Sequence, residues 1–175
     1  VRQPVLNTDL RIQIEKYIES LFVAPDPVLT QNIGDAEAAG LPAIQVSPNQ
    51  GRLLYLLTKM CRAKRVLEIG TLGGYSTTWL ARAVPADGKV ITLELDQKHA
   101  EVALGNLDRA GVAGRVEVRV GRAAGTLRHM IERREAPFDL IFIDADKASY
   151  VAYLDLALQL SHAGTVILAD NLIRH

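Results

Sequence analysis

Residues 65–76 read RVLEIGTLGGYS, a mostly apolar run that ends in a glycine-rich turn and passes into a helical segment. Short apolar runs of this kind are typical of strands that are buried on both faces of a parallel sheet. Gly70, Gly73 and Gly74 let the backbone turn sharply and approach a ligand closely, and the helix that follows offers free N–H groups. The stretch therefore predicts the first strand, loop and helix of an α/β fold.

Downstream of this unit, apolar runs alternate with helical patterns. The runs cover residues 89–95, 115–120, 138–144 and 165–170. The helical patterns cover residues 77–84, 97–111, 123–135 and 147–164. Strands that alternate with helices predict a doubly wound, Rossmann-like and mostly parallel sheet with helices on both faces. We expect residues 64–175 to form this α/β core.

Upstream of the core, residues 1–63 have a helical pattern. Apolar residues recur at spacings of three and four from Leu10 to Leu21, which predicts an amphipathic helix over residues 8–22. A second short helix is expected after Pro27. Ser47 and Gln50 have the spacing of a capping box, which predicts a third helix that ends near Cys61. All 175 residues are expected to form one domain.

Composition excludes several classes of partner. The chain has 20 Lys and Arg against 20 Asp and Glu, a single cysteine, and no long apolar segment. A net charge of zero without a basic cluster argues against nucleic acid, and the lack of an apolar span argues against a membrane. One cysteine cannot form an internal disulfide, so a cytoplasmic location is expected.

Acidic residues lie at the ends of the first two predicted strands. Glu68 precedes the glycine turn, where a carboxylate would repel a pyrophosphate but suit a ligand with an ammonium group. Glu94 lies 20 to 25 residues beyond the turn, the distance at which an acidic residue accepts the hydroxyls of a ribose. Asp96 is expected to cap the next helix, and the small residues around Ala123 leave room for a flat group such as adenine.

Oxygen-bearing side chains also end the fourth and fifth strands. Asp144, Asp170 and Asn171 are expected at one edge of the sheet, although each of them could merely be a helix cap or a turn residue. Together they favour Mg²⁺, with Ca²⁺ or Mn²⁺ as alternatives, over zinc or copper.

In order and spacing, four segments resemble the cation-dependent S-adenosylmethionine O-methyltransferases of the catechol and caffeoyl-CoA type. These segments are VLEIGTLGGYST (66–77), the acidic end of KVITLELD (89–96), IDADKASYVAYL (143–154) and ILADN (167–171). The resemblance implies a methyl transfer from S-adenosylmethionine to a hydroxylated aromatic molecule, and it implies a homodimer. That family continues past the Asp-Asn pair with a helix and two strands, so with the sequence ending at His175 these C-terminal strands are expected to be missing.

The resemblance also implies a role for each matching residue. The residues of the cofactor site would be Val46, Glu68, Gly70, Thr71, Ser76, Glu94, Ala123 and Asp144. The metal ligands would be Asp144, Asp170 and Asn171, and Lys147 would be the general base, so that Lys147 and Asp144 form the catalytic pair.

Two other functions stay open. An NAD-dependent oxidoreductase shares the strand, glycine turn and helix, although Glu68 and the absence of G-x-G-x-x-G argue against it. A non-catalytic protein that retains the cofactor site is the second alternative.

Overall fold

A computed structural model of the chain describes residues 8–172, so residues 1–7 and 173–175 of the predicted domain lie outside it. Three helices come first, as predicted: α1 (Thr8–Phe22), α2 (Pro27–Ala38) and α3 (Pro48–Met60). The capping box of α3 is confirmed, because Ser47 Oγ accepts from Gln50 N while Gln50 Oε1 accepts from Ser47 N. Within the described range no helix is long and apolar enough to cross a lipid bilayer.

The core alternates strands and helices from Arg65 onward. Its strands are β1 (Arg65–Ile69), β2 (Lys89–Glu94), β3 (Val116–Val120), β4 (Phe138–Ile143) and β5 (Ser161–Ala169). Its helices are α4 (Tyr75–Ala83), α5 (Gln97–Arg109), α6 (Ala123–Glu132) and α7 (Tyr150–Gln159), with single 3₁₀ turns at Ala113–Arg115 and Lys147–Ser149.

The five described strands form one parallel sheet in the order β3-β2-β1-β4-β5. The predicted doubly wound α/β fold is therefore confirmed. The strands β2 and β3 follow on one side of β1, whereas β4 and β5 follow on its other side, so the strand order switches between β1 and β4. Ligands of such sheets bind outside the carboxyl ends of the strands at this switch point. Helices cover both faces, with α3 and α4 packing on one and α6 and α7 on the other.

The predicted helix over residues 147–164 is wrong at its C-terminal end. The helix α7 ends at Gln159, and Ser161–Gly164 already belong to β5. The register between β4 and β5 shifts here, because Phe138 pairs with Ser161 whereas Leu140 pairs with Val166. Gly164 has a φ of 99°, which a helix does not accommodate.

Asp139 ties the amino ends of β1, β4 and β5 together. Its Oδ2 accepts from the main-chain N–H groups of Lys64 and Arg65 at 2.7 and 2.8 Å, and its Oδ1 lies 3.0 Å from His162 Nε2. Burial alone would raise the pKa of Asp139, but these hydrogen bonds outweigh burial and lower the pKa. The carboxylate therefore stabilises the fold above the ordinary pKa of 3.8, and this contribution is lost as the pH falls through the lowered value.

We expect Asp139→Ala to lower the free energy of unfolding by about 2 kcal/mol at pH 7, because two main-chain N–H groups lose a charged acceptor. Urea unfolding measures the change. Asp87→Ala is the matched control, since Asp87 pairs with Lys64 on the exposed surface and its removal should leave the free energy of unfolding nearly unchanged. Equal losses in the two variants would contradict this account of Asp139.

Candidate active site

A cavity of about 870 Å³ opens at the carboxyl ends of the strands. Most of the residues that the sequence singled out line it: Val46, Gly70, Thr71, Ser76, Glu94, Ala123, Asp144, Lys147 and Asn171. Two of the predicted residues, Glu68 and Asp170, are not part of its wall. The topology of the sheet thus brings residues that are as far apart in sequence as Val46 and Asn171 to the wall of one cavity.

The glycine turn forms the floor of the cavity. Gly70 has a φ of 103°, and a Cβ atom built on it would lie 1.9 Å from the main-chain oxygen of Asp144. Gly74 has a φ of 78° and is the N-cap of α4. The glycines therefore serve two purposes: Gly70 lets the ends of β1 and β4 approach each other, and Gly74 turns the chain into the helix.

Glu94 is nearly buried and accepts four main-chain hydrogen bonds. Its Oε2 accepts from Thr71 N at 3.2 Å and Leu72 N at 2.8 Å. Its Oε1 accepts from Leu95 N and Asp96 N, both at 2.9 Å. The carboxylate thus holds the glycine turn against the end of β2 as well as facing the cavity. Asp96 caps α5 as predicted, by accepting from Lys98 N and His99 N.

Glu68 lies beneath the cavity, with none of its surface exposed, instead of on the wall where the sequence-based prediction put it. The physical reason is the pleat of β1, which directs this side chain into the layer between the sheet and α4, where its Oε2 accepts from Thr77 Oγ1 and Thr92 Oγ1 at 2.5 and 2.6 Å. Its Oε1 has no hydrogen-bond partner within residues 8–172. Burial raises the pKa of Glu68 to about 7, against the opposing effect of the two threonine hydroxyls.

Lys147 connects the ends of β4 and β5. Its Nζ donates to Asp144 Oδ1 at 3.1 Å and to the main-chain oxygen of Asp170 at 3.3 Å. The strands stay adjacent here, because Asp170 N donates to Ile143 O at 3.0 Å. The Asp170 carboxylate accepts from Gln50 Nε2 at 3.2 Å and from the side-chain amide of Asn171.

The charges at this edge act on one another. Burial raises the pKa of Asp144, the Lys147 ammonium opposes this rise, and the Asp170 carboxylate adds to it. Burial alone would lower the pKa of Lys147, but the hydrogen bonds to Tyr150 and Asp144 outweigh burial and raise it. In the absence of another cation, Lys147 is thus the positive charge that balances the two carboxylates.

The donor set at this edge fits a hard divalent cation. No three His, Cys, Asp or Glu side chains within residues 8–172 converge closely enough to hold a metal ion by themselves. The set predicted from the sequence consists instead of two carboxylates, Asp144 and Asp170, and the amide oxygen of Asn171, and all three of these groups are oxygen donors of the kind that Mg²⁺ binds. The Lys147 ammonium contacts Asp144 Oδ1 and the main-chain oxygen of Asp170, so these oxygens already bind a positively charged group.

Three further residues contact the predicted site residues, although the sequence analysis did not predict a role for them in the site. Tyr150 bonds to Lys147, Gln50 bonds to Asp170, and His99 Nδ1 lies 3.5 Å from Glu94 Oε1 on the cavity wall. The capping-box position of Gln50 was evident, but its contact with β5 spans 120 residues of sequence. For Tyr150, the spacing of three from Lys147 was the available signal.

Comparison with known proteins gives concordant matches. A family model described as O-methyltransferase matches residues 25–175. A catechol O-methyltransferase of Niastella koreensis is 49% identical over 97% of this chain and 76% of its own length. One of Mycobacterium tuberculosis is 52% identical over 92% of this chain and 72% of its own length. A solved O-methyltransferase from Bacillus cereus in complex with SAH superposes with a TM-score of 0.90, at 46% identity over 93% of this chain and 74% of that one.

Proposed function

Because the chain belongs to the O-methyltransferase family, we propose that it transfers the methyl group of S-adenosylmethionine to one hydroxyl of a vicinal dihydroxy aromatic molecule, with the help of a divalent cation. The observation that carries the proposal is the cluster of Asp144, Lys147 and Asp170 at the edge of a cavity large enough for a nucleoside-sized ligand. The cluster joins a basic amine to oxygen donors that suit a hard cation.

The cavity offers separate environments for the parts of the cofactor. Glu94 would accept from the ribose hydroxyls, in exchange for some of the N–H groups that it now binds. Ala123, at the start of α6, leaves space for the adenine. The methionine end would lie over Gly70 and Ser76, above the buried Glu68, where a negative charge favours an ammonium group.

Alignment is the main contribution of the protein to the transfer. The sulfonium of the cofactor supplies an electrophilic methyl group, so no covalent intermediate with the enzyme is needed. A phenol has a pKa near 10, which leaves little phenolate at neutral pH. A divalent cation held by Asp144, Asp170 and Asn171 would stabilise the phenolate of a substrate with two neighbouring hydroxyls.

Lys147 is the residue placed to move the proton. Lys147 lines the cavity, and its Nζ lies 3.1 Å from Asp144 Oδ1, so a hydroxyl that enters the cavity at this edge would be within its reach. A divalent cation held by Asp144 and Asp170 would take over the charge that the Lys147 ammonium now balances, and this would favour the neutral amine. We propose that the neutral amine accepts the phenolic proton, while the walls of the cavity hold the hydroxyl oxygen in line with the methyl group.

Titration calorimetry and a product assay test this function together. The chain should bind S-adenosylhomocysteine without metal, bind catechol only when Mg²⁺ is present, and convert catechol with S-adenosylmethionine to the monomethyl ether. Binding of NAD in preference to S-adenosylhomocysteine would support the oxidoreductase instead. Cofactor binding without transfer to any catechol, at any Mg²⁺ or Mn²⁺ concentration, would support the non-catalytic alternative.

We also propose a homodimer, in accord with the resemblance noted above. The apolar stripe of α1 is consistent with a covered surface, because Tyr17 and Leu21 are 65% and 56% exposed in the single chain. Light scattering after gel filtration should give twice the chain mass, and Leu21→Glu should shift the protein toward the monomer. A monomeric parent protein at micromolar concentration would contradict the proposal.

A further inference from the structure

The amine of Lys147 has three acceptors around it. Besides Asp144 Oδ1 and the Asp170 main-chain oxygen, it donates to Tyr150 Oη at 2.5 Å. An ammonium has three N–H groups, so these contacts account for all of its donors. The position of Nζ is therefore defined from three directions.

The hydroxyl of Tyr150 is itself fixed by the sheet. It donates its proton to the main-chain oxygen of Ile143, the last residue of β4, at 3.1 Å. With its proton committed in this way, the oxygen can only accept from Lys147. Since Asp144 directly follows Ile143, Tyr150 links the amine to the strand end that carries Asp144.

We propose that Tyr150 is a positioning residue that directs the amine of Lys147 toward the methyl acceptor. The inference rests on the proposed placement of Lys147 beside the methyl acceptor. The hydrogen bonds to Tyr150, Asp144 and Asp170 together fix Nζ in one place, and two of the three acceptors do not depend on the Asp144 carboxylate. The Tyr150 hydroxyl and the Asp170 carbonyl are the two uncharged acceptors, and both are held by the sheet.

Loss of the Tyr150 hydroxyl should misdirect Lys147 without unfolding the site. In Tyr150→Phe the ring keeps its packing and its contact with Nζ, which lies 4.5 Å from the ring centroid. Of the three hydrogen-bond acceptors, however, the amine keeps just Asp144 and Asp170. Its long, flexible side chain can then turn toward Asp144, so Nζ no longer lies where it faces the acceptor hydroxyl. Misalignment of this kind slows the chemical step more than it weakens ligand binding.

A double-mutant cycle tests the proposal. We expect Tyr150→Phe to lower kcat about tenfold, with the KM for catechol and the Kd for S-adenosylhomocysteine within about twofold of the parent values. Lys147→Ala should lower kcat by at least about tenfold. In the Lys147→Ala background, Tyr150→Phe should have no further effect, because the residue acts only through Lys147.

Tyr55→Phe is the matched control. Tyr55 lies on α3, where its ring packs edge-on against Trp79 at 6.2 Å and takes no part in the cavity wall. This variant should retain the parent kcat. A parent-like kcat in Tyr150→Phe, or an equal loss of kcat in both backgrounds, would overturn the positioning role.

A crystal structure of Tyr150→Phe separates this inference from the proposed function, because it needs no turnover. Nζ should leave its present place and remain paired with Asp144. An unchanged Nζ position would overturn the inference even in an active enzyme. If instead Lys147→Ala keeps full kcat while Nζ moves in Tyr150→Phe, the geometry holds and the proton-accepting role of Lys147 fails.

Discussion

Replacement of Gly70 by alanine is expected to weaken cofactor binding strongly and to destabilise the fold by about 4 kcal/mol. The added methyl group would lie 1.9 Å from the main-chain oxygen of Asp144, at a φ of 103° that alanine rarely adopts. Relief of this overlap requires the ends of β1 and β4 to separate. Since the cavity is built on these two strand ends, the affinity for S-adenosylhomocysteine should fall at least about 100-fold, as measured by calorimetry.

Gly105→Ala is the control for this substitution. Gly105 lies within α5, and a Cβ atom built on it meets no heavy atom within 4 Å. This variant should gain about 0.5 to 1 kcal/mol of stability, because alanine is the better helix former, and it should keep the parent affinity. If both variants unfold at the same urea concentration, the close approach of β1 and β4 is not a constraint on residue 70.

The second large effect is expected at Glu68, as a loss of stability with rising pH. Its pKa is raised from the ordinary value of 4.5 to about 7 in the folded chain, chiefly by burial. The folded state therefore holds this proton over a pH range in which the unfolded state has released it. The contribution to stability is full below pH 4.5 and is lost as the pH rises through about 7, and it amounts to about 3 kcal/mol.

Glu68→Gln isolates this contribution. Glutamine has nearly the same shape but cannot ionise, so the difference in unfolding free energy between parent and variant should change by about 3 kcal/mol between pH 4.5 and 8. Urea unfolding of the cofactor-free proteins at a series of pH values measures it. A constant difference across that range would show that burial does not hold the proton on Glu68.

The same residue should couple proton release to cofactor binding. If the ammonium of the cofactor lies above Glu68, its charge favours the ionised carboxylate, and binding near pH 7 should release protons. Calorimetry in two buffers of different ionisation enthalpy counts them. Glu68→Gln should release fewer protons and bind S-adenosylhomocysteine more weakly, whereas equal release by both proteins would place the ammonium elsewhere.

Local patterns in the sequence were sufficient for the elements of the fold. The capping box at Ser47 and Gln50 and the apolar runs of the buried strands depend on neighbours a few residues apart, so their spacing is visible in the chain. The start of the last strand was predicted wrongly, at residue 165 instead of Ser161, because it depends on a distant strand and not on neighbouring residues. Ser161 pairs with Phe138, and residues 162–164 lie in the register shift that follows, since the next pair joins Leu140 to Val166. No local signal in the sequence encodes such a shift relative to a partner strand.

The sequence by itself determined the α/β class, the glycine turn at the end of β1, and the set of acidic residues and Lys147 at the strand ends, because parallel strands bring their carboxyl ends to one edge. Only the tertiary structure decided which of these groups face the cavity. The pleat of β1 buries Glu68 under it, and four N–H groups from two strand ends occupy Glu94. The contacts of Tyr150 and Gln50 likewise depend on how helices pack against strands that lie far away in sequence, which the order of residues alone does not specify.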